Sequence, residues 1–541
     1  MSGIPWSEAL DAWRAGRPAP PAASPLPRDE LLRRFHPDHR EGAMTPLRVG
    51  VSAGSACASE LAGLLQADSP VRDVDIAGAP QQDTDVLVIG GGGAGCVAAL
   101  CAARAGARVV VASKLRVGDG NTVMAEGGIQ AAVGEEDSLQ RHFEDTVRAG
   151  RFAGDRALAA ALVSDGPAAI RWLIGEGMSF DLEPGSDRIG GRLRRARVGG
   201  ATAARLLSYR DQTGLEMMRV LREAVRLQRG ITTLDGHPAL ELLTDARGGC
   251  AGAVLFDRAR GRLSLVHAGA TILATGGAGR VHLGGFPTSN HYGATADGLV
   301  LAYRAGAALR EVDSFQYHPS GLAFPARLAG LLVSEAARAA GARLVNGRGE
   351  RFVDELAARD VVAAAILREL EEGRGVARDG ALGVWLDTPS LEAEQPGILR
   401  ERLVTLSHLA ERAGVDPRRE PLLVRPTLHY QNGGVAIDPD GHTTIAGLFA
   451  CGEVAGGIHG RNRLMGNALL ELVAFGRRAG AAAARRAETP PTGPIGVTHL
   501  SDWQRALIAA GLPLEARAPR LFPPYSNFDL EAALDAGGVR A

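Results

Sequence analysis

Residues Asp83 to Gln130 read DTDVLVIGGGGAGCVAALCAARAGARVVVASKLRVGDGNTVMAEGGIQ, and this stretch decides the fold of the chain. The apolar run Val86 to Ile89 has the length and composition of a buried parallel strand. It continues without a break into Gly90-Gly91-Gly92-Gly93-Ala94-Gly95, which is GxGxxG at Gly90, Gly92 and Gly95. The alanine-rich segment Cys96 to Ala105 contains no breaker and predicts a helix, so strand, tight turn and helix follow one another as a dinucleotide fold requires. Gly90 permits the turn, Gly92 lets the backbone approach a pyrophosphate, and Gly95 lets the helix pack close to the strand while its N-terminal amides face the phosphates. A second strand, Arg108 to Ala112, completes a βαβ unit. A lone glycine fingerprint also occurs in ordinary α/β turns; the flanking strand and helix make this one a nucleotide site. The second strand ends in Ser113-Lys114, where an acidic residue would hold the ribose of NAD, and this argues against the usual NAD site.

With 541 residues, 45% hydrophobic and 22% charged, the chain is long enough for two or three domains around a large core. A net charge of -1 and a pI near 6.9 give no sign of a nucleic-acid surface or a polybasic membrane anchor. Five cysteines, Cys57, Cys96, Cys101, Cys250 and Cys451, are scattered without CxxC or CxxCH, so neither an iron-sulfur cluster nor an attached haem is expected on this chain. No uninterrupted apolar stretch reaches about 18 residues and no basic region precedes an apolar core at the start, so a cytoplasmic protein without a transmembrane segment is expected.

Ser113-Lys114, followed by Asn121-Thr122-Val123-Met124-Ala125-Glu126-Gly127-Gly128-Ile129, resembles the flavoprotein subunits of succinate dehydrogenase and fumarate reductase and their relative L-aspartate oxidase. The resemblance runs with few gaps to about Gly480. It implies an α/β fold in which a Rossmann-like FAD-binding domain, 83–312 and 429–486, is interrupted by an α+β capping domain, 313–428. An N-terminal extension, 1–82, and a short C-terminal tail, 487–541, flank it. The resemblance implies FAD held by Gly90, Gly92, Gly95, Ser113, Lys114, Asn121, Thr122, Gly127 and Gly128. Further contacts are implied from Asp297 in Ala296-Asp297-Gly298, from Glu453, and from Asn467 and Leu469 at the start of a helix whose dipole would favour negative charge on the reduced cofactor. Ala468 stands where the family has serine. The strand ending Ala274-Thr275-Gly276-Gly277 looks like the second glycine turn of two-dinucleotide flavoproteins. Succinate dehydrogenases carry near position 121 the histidine that bonds covalently to FAD; Asn121 implies non-covalent FAD.

Seven polar positions match the family's active site: His318 in Gln316-Tyr317-His318-Pro319-Ser320, Ser334-Glu335 before Arg338, Arg359, His429 and Arg463. Interconverting a saturated and an unsaturated dicarboxylate moves a hydride between carbon and flavin and a proton at the adjacent carbon. By resemblance, His318, Ser334, His429 and Arg463 grip the carboxylates and Arg359 carries the proton. Glu335 and Arg338, at i and i+3, would share a helix face and restore it. Val198-Gly199-Gly200 occupies the place of the family's Phe-Gly-Gly or Glu-Gly-Gly, in which phenylalanine goes with succinate and fumarate and glutamate with aspartate; Val198 is neither. Fumarate reduction or succinate oxidation is the first expectation, with a possible iron-sulfur partner for electron transfer and a peripheral place at the inner face of a membrane. L-aspartate oxidase and an electron-relay flavoprotein that binds no dicarboxylate are the rivals.

Elsewhere, Pro18 to Pro27 reads as a linker, Leu47 to Val51 as a strand and Ala56 to Leu65 as a short helix, too little for an independent core, so the extension is expected to dock on the body or a partner. His36-Pro37-Asp38-His39 offers a possible metal-ligand pair, but Pro37 breaks the spacing and no further ligands follow. Asp137 to Gly177 has apolar positions at helical spacing. After Arg486 a proline-rich linker, a short helix near Trp503 and a polar tail remain, where succinate dehydrogenase flavoproteins have a longer helical domain.

Overall fold

The strand, glycine turn and helix quoted above sit at the centre of the largest sheet among the described residues. Gln81–Ile89 lies in the middle of seven strands, with Val109–Ser113 and Ile231–Asp235 parallel on one side and Arg262–Leu273 parallel on the other. Val86 to Ile89 are fully or nearly fully buried, as a strand covered on both faces must be. The twelve-residue strand Arg262–Leu273 also pairs antiparallel with Cys250–Asp257 and, through Thr271 to Leu273, parallel with Leu448–Ala450. That last pairing brings the returning chain back beside the first glycine turn. The helices Gly93–Arg104 and Asn467–Ala487 pack on each other over this sheet, and Gly476 and Gly480 allow the close approach. The computed structural model describes residues 3–16, 26–183, 185–186 and 191–536; most of the stretch from Pro18 to Pro27 lies outside them.

The second sheet holds Phe315–Leu322, Leu422–Gln431, Ala381–Asp387 and Val376–Arg378 side by side, with Arg343–Val345 on Ala381–Asp387. Helix Arg359–Glu371 lies against it. The N-terminal extension adds to this sheet: Ile4–Pro5 pairs in parallel with Val376–Arg378, and Trp6 meets Trp385 edge to face at 4.5 Å. Helix Arg28–Phe35 buries Leu31, Leu32 and Phe35 and packs on Arg359–Glu371. Asp38 stays with the second sheet, accepting a hydrogen bond from Phe315 N at 3.1 Å, and the chain then reaches the helix Asp297–Arg304 beside the first sheet, where the Tyr303 hydroxyl donates to Val49 O. His36 is turned edge-on to Tyr317, with ring centroids 5.6 Å apart.

Three local expectations need correcting. Leu47 to Val51 is not a strand: Met44–Pro46 is, paired antiparallel with Ala56–Ala58, and Leu47 and Val49 are buried from a turn instead. The expected helix from Ala56 therefore starts only at Ser59. The tail after the helix His499–Ala509 is not simply polar, because Leu521, Phe522, Leu530 and Leu534 are buried in a cluster with Val71, Leu240 and Val254. In each case a tertiary contact overrides local pattern. The segment from Asp137 to Gly177 forms two helices, Leu139–Ala149 and Arg156–Gly175. The latter is long and apolar enough to cross a membrane by length and composition, but it packs against Asn467–Ala487, and its Asp165 pairs with Arg478.

Candidate active site

One cavity runs between the two sheets, from Ser113 and Lys114 past Gly90 to Gly93 and on to His318, Ser334, Arg359, His429 and Arg463. Of the residues singled out from sequence, Asn121, Thr122, Gly127, Gly128, Asp297, Glu335, Glu453 and Leu469 also line it. Gly95, Arg338 and Asn467 do not. Gly95 lies inside the first helix turn, where an added Cβ would fall 1.9 Å from Gly90 O. The Asn467 side chain turns away, with Oδ1 2.9 Å from His142 Nε2 and Nδ2 donating to Thr146 Oγ1 at 3.0 Å, so it braces the helix start rather than facing the cavity.

The nucleotide end is made of main chain. Gly90 has φ +116°, and a Cβ there would meet Ala274 O at 2.3 Å, so this glycine is demanded by the protein's own packing. At Gly92 the nearest atom to an added Cβ is Thr122 Oγ1, 3.9 Å away; the space it would fill is the cavity itself. That is the room a pyrophosphate needs beside the N-terminus of Gly93–Arg104. Lys114 does not project freely into it: the ammonium donates to Thr295 Oγ1, Asp297 Oδ2 and Leu521 O, each at 2.6 Å. Burial lowers its pKa, which Asp297 partly offsets. Asn121 is tied on both sides of its amide, donating to Asn290 Oδ1 at 2.6 Å and Glu453 Oε2 at 3.0 Å and accepting from His291 N at 2.6 Å. Glu453 also accepts from Gln431 N at 3.0 Å, yet burial pushes its carboxyl up to about 7. Three further buried oxygens on the lining, Glu126 Oε2, Thr275 Oγ1 and Glu471 Oε1, have no partner among protein atoms. Buried polar atoms normally find partners, and the hydroxyls and ring heteroatoms of FAD are of the kind that would supply them. Burial, reinforced by Asp211, raises the Glu126 carboxyl well above the ordinary range. The residues present therefore fit FAD.

The other end is made of side chains. Arg359, the first residue of its helix, donates through Nε to Glu335 Oε2 at 2.7 Å and through a terminal nitrogen to Gln316 Oε1 at 3.0 Å. Arg463 donates to the same Gln316 oxygen at 2.9 Å. The Gln316 amide nitrogen is committed to Asn462 Oδ1 at 3.1 Å and Arg463 O at 2.7 Å, so its carbonyl is held toward the two guanidinium groups. Arg338 lies one helical turn from Glu335, with a nitrogen 3.3 Å from Oε2, and donates to Glu355 O. Burial by itself would raise the Glu335 carboxyl, but Arg359 and Arg338 hold it below its ordinary value. Burial and the neighbouring Arg359 bring Arg463 down to about 10, so it remains a cation at neutral pH. His318 and His429 stand edge to face, 5.1 Å between centroids, and burial plus the nearby arginines lowers both well below the ordinary imidazole value. His318 Nδ1 accepts from Ser320 N at 3.2 Å, which leaves the proton of the neutral ring on Nε2; His429 Nδ1 is 2.8 Å from Ser289 Oγ. Ser334 caps its helix by accepting from Ala336 N at 3.3 Å and keeps its hydroxyl proton to donate. Two cations, two neutral imidazoles and a hydroxyl converge where a small dianion would be gripped.

Sequence reasoning missed Gln316, Glu126, Ser289 and Asn290. Two of these carry a signal: Gln316 lies two residues before His318 on one strand and so on the same face, and Glu126 lies inside the stretch Asn121 to Ile129. Val198 is buried with Ala201, Leu206 and Met465 in a small apolar cluster next to this end.

A family model described as FAD binding domain matches residues 85–469. A CoM/CoB-type fumarate reductase chain of Methanothermobacter marburgensis is 42% identical over 416 residues, covering 75% of this chain and 73% of its own. The L-aspartate oxidase of Streptomyces coelicolor is 38% identical over 470 residues, 84% of this chain and 76% of its own. Among solved structures, an E. coli quinol fumarate reductase chain superposes with a TM-score of 0.72 at 33% identity, over 80% of this chain and 74% of the other.

Proposed function

The chain belongs to the FAD-dependent oxidoreductase family that includes fumarate reductase flavoproteins and L-aspartate oxidases, and from that premise we propose that it interconverts a small saturated and an unsaturated dicarboxylate, as a fumarate reductase or succinate dehydrogenase flavoprotein does. The observation that carries the reading is the shared clamp of Arg359 and Arg463 on Gln316, with Glu335 behind Arg359. FAD, when bound, supplies the hydride donor or acceptor. Arg463, His318, His429 and Ser334 bind and orient the two carboxylates, and the cationic Arg463 stabilises charge that grows on one of them as the adjacent carbon gains or loses its proton. Arg359 holds the proton for that carbon, which suits a strongly basic centre because a guanidinium gives up its proton only to such a base. Glu335, bonded to Arg359 Nε, and Arg338 beside it return the proton to Arg359. Gly90, Gly92, Ser113, Thr122, Gly127, Gly128, Asp297, Glu453 and Leu469 would hold FAD. It is bound non-covalently, because Asn121 offers a saturated amide and no imidazole.

L-aspartate oxidation is the second reading, favoured by Asn121 and by the S. coelicolor relative; the apolar surroundings of Val198 offer nothing to pair with a substrate ammonium and weigh against it. Because fumarate reductase relatives are named as subunits, we assign the electron path to a separate iron-sulfur partner, which would also hold the protein at a membrane face. The test is turnover of fumarate with reduced viologen, and of succinate and L-aspartate with an artificial acceptor. Acid precipitation is expected to release all FAD. Absence of turnover with all three, together with an unperturbed flavin spectrum, would replace this reading with an electron-relay flavoprotein.

A further inference from the structure

We propose that Tyr430, Glu471 and His459 form a buried positioning stack that sets the plane of Arg463 and keeps it ready for an anion; the inference rests on the dicarboxylate reading of the cavity. The three residues come from separate elements: Tyr430 from Leu422–Gln431, His459 from the loop before Arg463, and Glu471 from the start of Asn467–Ala487. All are buried. The guanidinium carbon of Arg463 lies 4.3 Å from the centroid of the Tyr430 ring. The Tyr430 hydroxyl donates to Glu471 Oε2 at 2.6 Å, and His459 Nε2 lies 2.9 Å from the same oxygen. The His459 and Tyr430 rings meet edge to face at 5.6 Å. Glu471 Oε1 is left without a protein partner on the cavity lining.

A guanidinium has no fixed plane unless both its face and its edge are held. Gln316 holds an edge of Arg463 by one hydrogen bond, and Arg463 Nε has no partner, so the Tyr430 ring is what restrains the face. A phenol that donates to a carboxylate gains electron density in its ring, so Glu471 strengthens the attraction of that ring for the cation. Glu471 also sets charge. Arg359 from the neighbouring helix repels Arg463, while Glu453, Glu471 and Tyr430 favour its charged form; His318 and His429 face it from the two adjoining strands. Removing the Glu471 carboxylate leaves two buried arginines with less compensation, and the one without a direct carboxylate partner is Arg463. These three are positioning residues: Arg463, not they, would touch the substrate.

The test is titration of FAD-loaded protein with malonate, read by the flavin spectrum from pH 6 to pH 10. An anion binds the protonated guanidinium, so affinity is lost as pH rises through the Arg463 pKa. Glu471→Gln keeps an acceptor oxygen for Tyr430 but drops the charge; the alkaline limb should move down by about one pH unit or more, while affinity on the acid side is kept or improved. A role confined to packing would weaken binding equally at every pH. His459→Gln, which loosens Glu471 and removes only an edge contact to the Tyr430 ring, should move the limb in the same direction by a smaller step. Tyr430→Leu should weaken malonate about tenfold at pH 7, and Tyr430→Phe, which keeps the ring face, should restore most of that loss. If Tyr430→Leu does not retain FAD, Glu471→Gln and His459→Gln decide. Wild-type binding with limbs unchanged in both of those variants overturns the inference alone. Wild-type protein that takes up no malonate overturns the dicarboxylate reading and this inference with it.

Discussion

The two ends of the cavity are built by opposite means. The nucleotide end is shaped by backbone that is nearly continuous in sequence, from Gly90 to Gly128; Gly90 and Gly95 are demanded by the protein's own packing, and Gly92 keeps open the cavity beside it. The anion end is assembled from side chains on five separated segments, those of His318, Ser334, Arg359, His429 and Arg463, and is held by charge and hydrogen bonds. A site made of backbone fails by losing its ligand or its fold. A site made of side chains fails by losing its chemistry while the fold survives.

The sharpest way to break this contrast is Arg359. Arg359→Gln and Arg359→Lys should lower turnover by about 10³ or more, since acid-base catalysis accounts for roughly 10² to 10⁴ and loss of correctly placed charge adds to it. FAD content should stay at the wild-type value, while Tm falls more for Arg359→Gln, which strands the buried Glu335 carboxylate, than for Arg359→Lys; loss of FAD in step with activity would show that the two ends are not separable.

Gly92→Val is the converse. Its Cβ has room in the protein but not beside a pyrophosphate, so FAD affinity should fall by roughly 10² or more while the apo protein keeps its Tm. Gly95→Val should instead fail to fold, because its Cβ would sit 1.9 Å from Gly90 O. Equal behaviour of the two variants would remove the distinction between ligand space and packing space.

A smaller effect is expected at Gln316, which touches both arginines. Gln316→Leu leaves each without one acceptor, a loss of about 1–3 kcal/mol in a buried charged network, and should raise KM and lower kcat by about tenfold each. A change in kcat alone would place Gln316 with Arg359 only.

The smallest effect concerns Glu453, where backbone and side-chain regimes meet. Its carboxyl is raised from 4.5 to about 7 in the folded chain, so the folded state binds the proton more tightly than the unfolded state. Its contribution is therefore present at acid pH and is lost as pH rises from about 4.5 to about 7. Apo Glu453→Gln should lack this fall and gain about 1–2 kcal/mol relative to wild type at pH 8 compared with pH 5, measured by urea denaturation. Parallel pH profiles would show that this carboxylate is solvated in the apo protein.

Much of the nucleotide end was legible because glycine, strand and helix requirements are local. Val86 to Ile89, the glycine turn and the following helix were placed within a few residues from pattern alone. Long-range partners were not legible. Nothing adjacent to Lys114 announces that Leu521, some four hundred residues on, would accept from its ammonium, and nothing near Leu47 announces that it would be buried from a turn. At the other end local motifs single out His318, Ser334, Arg359, His429 and Arg463, which share the cavity, but not Gln316, because an uncharged amide on a strand acquires meaning only when two arginines point at it.

The sequence by itself determined the nucleotide fold and the set of charged residues available for chemistry, because steric needs of backbone and the identity of ionisable groups are written residue by residue. Tertiary structure alone decided that Arg359 and Arg463 share one oxygen, that Asn467 and Gly95 stand outside the cavity, and that Glu453 and His318 have displaced pKa values. Distance and burial set electrostatic energies, and both arise only when segments far apart in the chain are brought together.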